Sequence, residues 1–247
     1  MPRELYGWLK DVVEHALRRP VIKMYRDRPR YSIIESIQRK QSLGLNPIIA
    51  EYKRRSPSGL YVVRDLYDYL SLMEKYATGI SILTEDKYFG GSYEILREAS
   101  RILRLPILMK DFIVCEHQIE TAYNIGADTI LLILSILTEE EAEKLYRYAK
   151  SFGLEVIVEV NTVDEAVLAM EMGVEIIGIN SRNLKTLEID MDRTCEIMKN
   201  ISSNTIKIAE SGIKSRSDIE KLKICGANAF LIGTSLMKNP KNILEYI

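Results

Sequence analysis

The chain has 247 residues, and 34 Lys plus Arg against 35 Asp plus Glu leave a formal net charge of −1. Hydrophobic residues make up 47% and charged residues 28%, an ordinary globular composition; with 13 Gly, 7 Pro and 3 Cys, disordered, collagen-like and disulfide-dense classes are excluded. The neutral balance argues against nucleic-acid or membrane partners, and the length suits one large core, since α/β barrels commonly run to about 250 residues as a single domain.

Only two histidines occur, His15 and His117, which removes most His-based metal sites and His-relay triads. No metal is expected, and acid–base chemistry must rest on Lys, Glu and Asp. Cys115, Cys195 and Cys225 are scattered, odd in number and form no CxxC pair, so a reducing cytoplasm is the natural reading. Residues Met1 to Glu14 carry charges that interrupt any apolar run, which excludes a signal peptide. The most apolar stretch, Thr129 to Leu137, is far shorter than the roughly 20 residues of a membrane span.

In chain order, the first 45 residues stand apart as a helical extension. Leu5, Leu9, Val12, Val13, Ala16 and Leu17 share one face of a first amphipathic helix, and Ser32 to Leu43 form a second. Two placements stay open: a plug under a barrel, or a cap at its mouth with Trp8 reaching toward a ligand. Short β-branched runs then recur at 47–52, 79–83, 106–110, 129–133, 155–159, 176–180, 206–210 and 229–233, eight in all. Near-continuous apolar runs are what parallel strands buried on both faces look like. Helix signals fill the intervals. Thr138-Glu139-Glu140-Glu141 opens one helix with acidic residues, Thr162 to Glu165 has capping-box spacing, and Gly126, Gly153, Gly173 and Gly226 stand where helices end. The pattern reads as one (β/α)8 barrel domain over 1–247, with 1–45 as its N-terminal extension. An open doubly wound sheet fits less well, because no GxGxxG follows the first strand.

Active sites of this fold lie at the C-terminal ends of the strands. Those ends carry Glu51 and Lys53, Lys110, Glu159, Asn180, and Glu210 with Ser211. Side chains alternate along a strand, so Leu108 and Lys110 share a face, as do Ile157 and Glu159, and Gly178 and Asn180. The polar residues therefore converge on one mouth above a layer of aliphatic side chains. After the seventh strand comes Glu210-Ser211-Gly212-Ile213, and after the eighth Gly233-Thr234-Ser235. Those are the two loops where such barrels cradle a phosphate. The loop Lys53-Arg54-Arg55-Ser56-Pro57-Ser58-Gly59 reads as a lid bringing positive charge to that anion.

Glu51-Tyr52-Lys53 followed by Ser56-Pro57-Ser58 resembles the signature of the indole-3-glycerol phosphate synthases. The likeness runs on through Ser81-Ile82-Leu83-Thr84, Phe89 with Gly91-Ser92, Pro106 to Phe112, Gly126-Ala127-Asp128, Glu159-Val160, Gly178 to Leu184, Glu210 to Ile213 and Gly233 to Met237. Trp8 also fits the family's first helix. The resemblance implies a cytoplasmic lyase of tryptophan biosynthesis that closes 1-(2-carboxyphenylamino)-1-deoxyribulose 5-phosphate to indole-3-glycerol phosphate, releasing CO2 and water. No cofactor is implied. The partner is a small phosphorylated substrate, and a monomer is expected.

Within that resemblance Lys110 looks like the general acid that polarises the ribulose carbonyl. Glu159 looks like the base, with Glu51 beside it and Asn180 orienting it. Lys53 either contacts the leaving carboxylate or shares the acid role. Phosphate would rest on the N–H groups of Gly212, Gly233 and Thr234, helped by Ser211, with Ser56 nearby. Trp8, Phe89, Phe112, Leu131 and Leu184 would wall the anthranilate ring, and Arg182 could meet an anionic group. Two residues depart from the family pattern: Arg55, where Lys or something smaller is expected, and Thr234, where similar sequences carry Ser. The alternatives are an aldolase using Lys110 as a Schiff base and a non-catalytic phosphosugar binder.

Overall fold

The computed structural model describes residues 5–247. The part of the N-terminal reading that falls on Met1 to Glu4 lies outside them. Two helices lead, α1 (Gly7–Arg18) and α2 (Ile33–Ser42). Eight strands follow: β1 (Ile48–Tyr52), β2 (Gly79–Leu83), β3 (Ile107–Lys110), β4 (Thr129–Ile133), β5 (Glu155–Val160), β6 (Ile176–Asn180), β7 (Ile206–Glu210) and β8 (Ala229–Ile232). They are parallel, neighbours in sequence pair in order, and β8 pairs back to β1, closing the barrel. Between them run α3 (Leu66–Tyr76), α4 (Tyr93–Ile102), α5 (Glu116–Ile125), α6 (Glu139–Ser151), α7 (Val163–Glu171), α8 (Met191–Lys199) and α9 (Arg216–Ile224). The short α10 (Thr234–Lys238) and α11 (Ile243–Tyr246) close the chain. No described helix is long and apolar enough to cross a membrane.

The eight strands fall where the apolar runs place them, within a residue at each end. Their faces are buried on both sides, barrel interior within and helices without, so the runs need no polar alternation. The helix signals also hold. Thr138 and Glu141 form a reciprocal capping box on α6. At α7 the Thr162 hydroxyl accepts from the Glu165 N–H, but the Glu165 carboxylate takes the N–H of Asn161 rather than that of Thr162. Gly126 sits at φ 102° at the end of α5, a left-handed position that a side chain would strain.

The extension does both things that its sequence left open. Its first helix lies at the mouth, where the Trp8 indole N–H donates to the Leu184 carbonyl at 3.0 Å. Its second helix crosses the opposite end. There the Glu155 carboxylate, at the start of β5, accepts from the Ser32 hydroxyl and the Ile33 N–H at 2.5 Å each, while Lys40 reaches the Tyr76 carbonyl at 2.7 Å. Ser32 is the N-cap of α2 and also accepts from the Glu35 N–H, an arrangement worth about 1 kcal/mol. The segment joining the helices is pinned to the outside by Arg26, which binds Asp128 at 2.5 Å, and by Arg28, which donates to the carbonyls of Gly126 and Leu105.

The reading of the cysteines as an unpaired, reduced set needs correction. Cys195, on the buried side of α8, is joined to Cys225 at the end of α9, and only Cys115 is free. Adjacent outer helices bring together thiols separated by 30 residues, a proximity that no local spacing could signal. Closing a loop of that length stabilises by about 3–4 kcal/mol in the chain-entropy account. Reduction, or the Cys195→Ser/Cys225→Ser pair, should therefore lower the calorimetric melting temperature by on the order of 10 °C. An unchanged melting point would show that the link contributes nothing.

Candidate active site at the barrel mouth

Four titratable side chains come from the odd strands: Glu51 of β1, Lys110 of β3, Glu159 of β5 and Glu210 of β7. Alternate strands of such a barrel contribute to one inward layer, and that stagger brings the four together. The Lys110 ammonium donates to Glu210 Oε2 at 2.7 Å and lies 3.4 Å from Glu51 Oε2. Lys53, just beyond β1, binds the other Glu51 oxygen at 2.5 Å. From the next strand, Asn180 donates its Nδ2 to Glu159 Oε1 at 3.0 Å, while its Oδ1 accepts the Arg182 N–H.

Two glycines make this packing possible. A Cβ on Gly178 would overlap the Glu210 carboxylate, and one on Gly233 would overlap that of Glu51. Neither glycine has a positive φ, so close approach of a carboxylate, not backbone freedom, requires them.

Burial and charge then set the protonation states. Glu51, Glu159 and Glu210 are 3%, 3% and 0% exposed as residues, so each is largely removed from water. Burial acts to lower the Lys110 pKa, but Glu210, Glu51 and Glu159 outweigh it and hold the ammonium above its ordinary value. Burial would raise Glu51, yet Lys53 and Lys110 pull it below the usual carboxylate range. For Glu159, burial and the negative charge of Glu210 push the pKa up to about 8, more than Lys110 and Asn180 compensate. One lysine locked as a donor thus faces a carboxyl group poised near neutrality.

Of the residues expected at the mouth, Lys110, Glu159, Glu51, Lys53, Asn180, Ser211, Trp8, Ser56, Phe89, Phe112, Leu131, Arg182, Leu184, Gly212, Gly233 and Thr234 all line one cavity. Glu210 does not. It lies fully buried beneath the cavity and reaches it through Lys110. Arg54 and Arg55 are also absent from the lining: Arg55 donates to the Asp86 carbonyl at 2.9 Å, tying its loop to the one after β2. The Arg55 guanidinium is therefore committed to the neighbouring loop, and the cations lining the mouth are Lys53, Lys110 and Arg182.

One cavity wall is aromatic. Trp8 packs edge-on against Phe112, ring centroids 5.9 Å apart, and against Tyr88 at 5.6 Å, and Phe89 lies 6.2 Å from Phe112. Phe89 is presented by a loop whose N–H groups at Lys87, Tyr88 and Phe89 all donate to the buried Glu85 carboxylate. Opposite, Ser211 and Gly212 adopt consecutive positive φ values of 67° and 79°. A serine in that region stores on the order of 1–3 kcal/mol of strain, the kind of outlier that gathers at functional sites.

The sequence reading missed several cavity residues. Leu83, Ile133 and Leu231 line it, and each lies two residues along its strand from another inward position, so period-two alternation could have found them. Asp111 lines it as well, although a residue one step beyond an inward lysine gives no such signal.

Comparison with known proteins agrees with this geometry. The sequence model of the family described as indole-3-glycerol phosphate synthase matches residues 2–245. A protein of that name from Sulfurisphaera tokodaii is 53% identical over 248 residues, covering 100% of both chains. One from Bacillus cereus is 38% identical over 244 residues, covering 94% of this chain and 93% of the relative. Among solved structures, a thiamine phosphate pyrophosphorylase from Pyrococcus furiosus aligns with a TM-score of 0.57 at 16% identity, over 82% of this chain and 92% of that one, a likeness of fold alone. A family match over nearly the whole chain and a full-length relative at 53% identity place this protein in the indole-3-glycerol phosphate synthase family, carboxy-lyases of tryptophan biosynthesis.

Proposed function

We propose that the mouth cavity carries out the family's ring closure with Lys110 as general acid and Glu159 as general base. The observation that carries this reading is the Lys110 ammonium, fixed by Glu210 and Glu51, in a cavity that also holds Glu159 with a pKa of about 8. The substrate is the carboxyphenylamino-deoxyribulose phosphate. Its anilino ring rests among Trp8, Phe89, Phe112, Leu131 and Leu184, and its phosphate lies on the loops of Ser211, Gly212, Gly233 and Thr234.

In the first step the ring carbon attacks the ribulose carbonyl while Lys110 donates a proton to the developing alkoxide. The pinned ammonium is charged at any working pH, so the donor is always loaded. Loss of CO2 restores aromaticity, and Lys53 is the cation placed to meet the departing carboxylate. Dehydration then breaks the carbon–hydroxyl bond: Lys110, reprotonated from solvent, gives the hydroxyl the proton with which it leaves as water, while a base takes a C–H proton whose electrons form the new double bond. Glu159 serves as that base, and Asn180 aims its carboxylate. A group with a pKa near neutrality can accept and release a proton in one turnover, which a carboxylate held at its ordinary value does less well. Glu51 acts chiefly as the counter-ion that keeps both lysines in place.

Three measurements test these roles. Lys110→Ala and Glu159→Gln should each reduce kcat by at least about 100-fold, the scale of a lost acid or base, read from indole fluorescence as product forms; near-normal turnover in either removes its assigned role. A base must be deprotonated to act, so the raised Glu159 pKa predicts that kcat/KM climbs with pH and levels off above about 8. That limb should be missing from the residual rate of Glu159→Gln. Borohydride added during turnover should leave no adduct on Lys110, whereas a trapped adduct would favour Schiff-base chemistry.

A further inference from the structure

Arg19 stands where α1 ends and is outside the cavity lining, yet its side chain is only 7% exposed. Its guanidinium donates to Asp111 Oδ2 and, at 2.8 Å, to the Thr84 carbonyl, and it lies 3.8 Å over the ring of Tyr93. Asp111 is equally committed: Oδ2 also accepts the Thr84 hydroxyl at 2.5 Å, and Oδ1 accepts the Phe112 N–H at 2.9 Å. This one carboxylate therefore ties the end of β2 and the residues just past β3 to the last turn of α1. Burial opposes the Arg19 charge, and Asp111, with smaller help from Tyr93 and Asp86, more than restores it.

The same face of α1 carries Asp11 and His15, one helical turn apart, and Arg19 follows four residues after His15. Asp11 meets Lys87 and Tyr88, and His15 meets Asp86 at 2.7 Å. Those outer pairs are well exposed, and exposed pairs contribute little. The Arg19 link, by contrast, is buried and works alongside the apolar packing of Leu9, Val12, Val13 and Ala16.

We propose that Arg19 is a positioning residue that acts through Asp111. It sets Trp8, at the other end of the same helix, and Lys110, the residue before Asp111, relative to each other. The proposal rests on the reading of Trp8 as a ring wall and of Lys110 as the acid. A lysine at this position would keep the charge but could not bond Asp111 and Thr84 through one planar group while stacking on Tyr93.

Trp8 is the only tryptophan in the chain, so its fluorescence reports where α1 lies without any reference to activity. The informative variant is Arg19→Met/Asp111→Asn, which removes both charges and leaves neither buried alone. Its unliganded Trp8 emission should shift to the red, kcat should fall at least about tenfold, and KM for the carboxyphenylamino-deoxyribulose phosphate should rise several-fold, on the scale of small misplacements near reacting atoms. Arg19→Lys, which keeps the fold if the double variant loses it, should recover part of the emission shift and part of kcat together. Wild-type kcat, KM and emission in the double variant would overturn the proposal, and so would lost activity with Trp8 emission unmoved. If the unaltered protein forms no indole product, the reading of the reaction fails, while the emission of the variants still decides whether Arg19 places the helix.

Discussion

Charge balance in one buried layer governs this molecule. Glu51, Glu159 and Glu210 bring three carboxyl groups, and Lys53 and Lys110 bring two ammonium groups, to a region nearly closed to water. If every carboxyl ionised, one of the three would lack an ammonium partner, since the Arg182 guanidinium at the rim is spent on the Leu187 carbonyl, and an unpaired buried charge costs several kcal/mol. The layer settles this by retaining a proton on the carboxyl group with the fewest cationic contacts. Glu51 touches both lysines and Glu210 touches one, whereas Glu159 is held by the neutral amide of Asn180 and keeps its proton up to about pH 8. The near-neutral pKa on which the proposed base relies is a product of this imbalance.

The barrel's stagger makes such a layer possible. Inward positions of alternate strands fall at one height, so four residues far apart in sequence meet without any loop having to place them. The even strands supply what the packing needs around them: Gly178, whose missing side chain admits the Glu210 carboxylate, and Asn180 one step higher on the same strand. Loops contribute only at the rim, where backbone strain at Ser211 and the Glu85-capped turn before Phe89 shape the wall. Strand ends thus hold Lys110 and Glu159, while α1 and the rim loops complete the wall.

Much of this was legible in the sequence because it repeats. Apolar runs, capping residues and helix-ending glycines are local signals, and the eight strands appear where those signals put them. The strand-end polar residues could be read for the same reason, since alternation alone tells which of them face inward. What could not be read depends on distance through space. Nothing near Cys195 announces Cys225, nothing near Glu155 announces that it caps α2, and the burial of Glu210 below rather than within the cavity follows from the three-dimensional packing of the strand ends. Arg55 misled for a related reason. A basic loop beside an anion site suggests attraction, but its guanidinium found a backbone carbonyl on the neighbouring loop first.

The extension that runs from mouth to base has a consequence for how the protein is made. Arg26 finds Asp128 across 102 residues of chain, Ser32 finds Glu155 across 123, and Trp8 finds Leu184 across 176. The segment thus leaves the ribosome well before its docking surface is synthesised, and closing such distances is slow. It must wait, with its apolar face exposed, while most of the barrel emerges. Trp8 meets Tyr88, Phe112 and Leu184, so the aromatic wall of the cavity closes only once the chain has been made through Leu184.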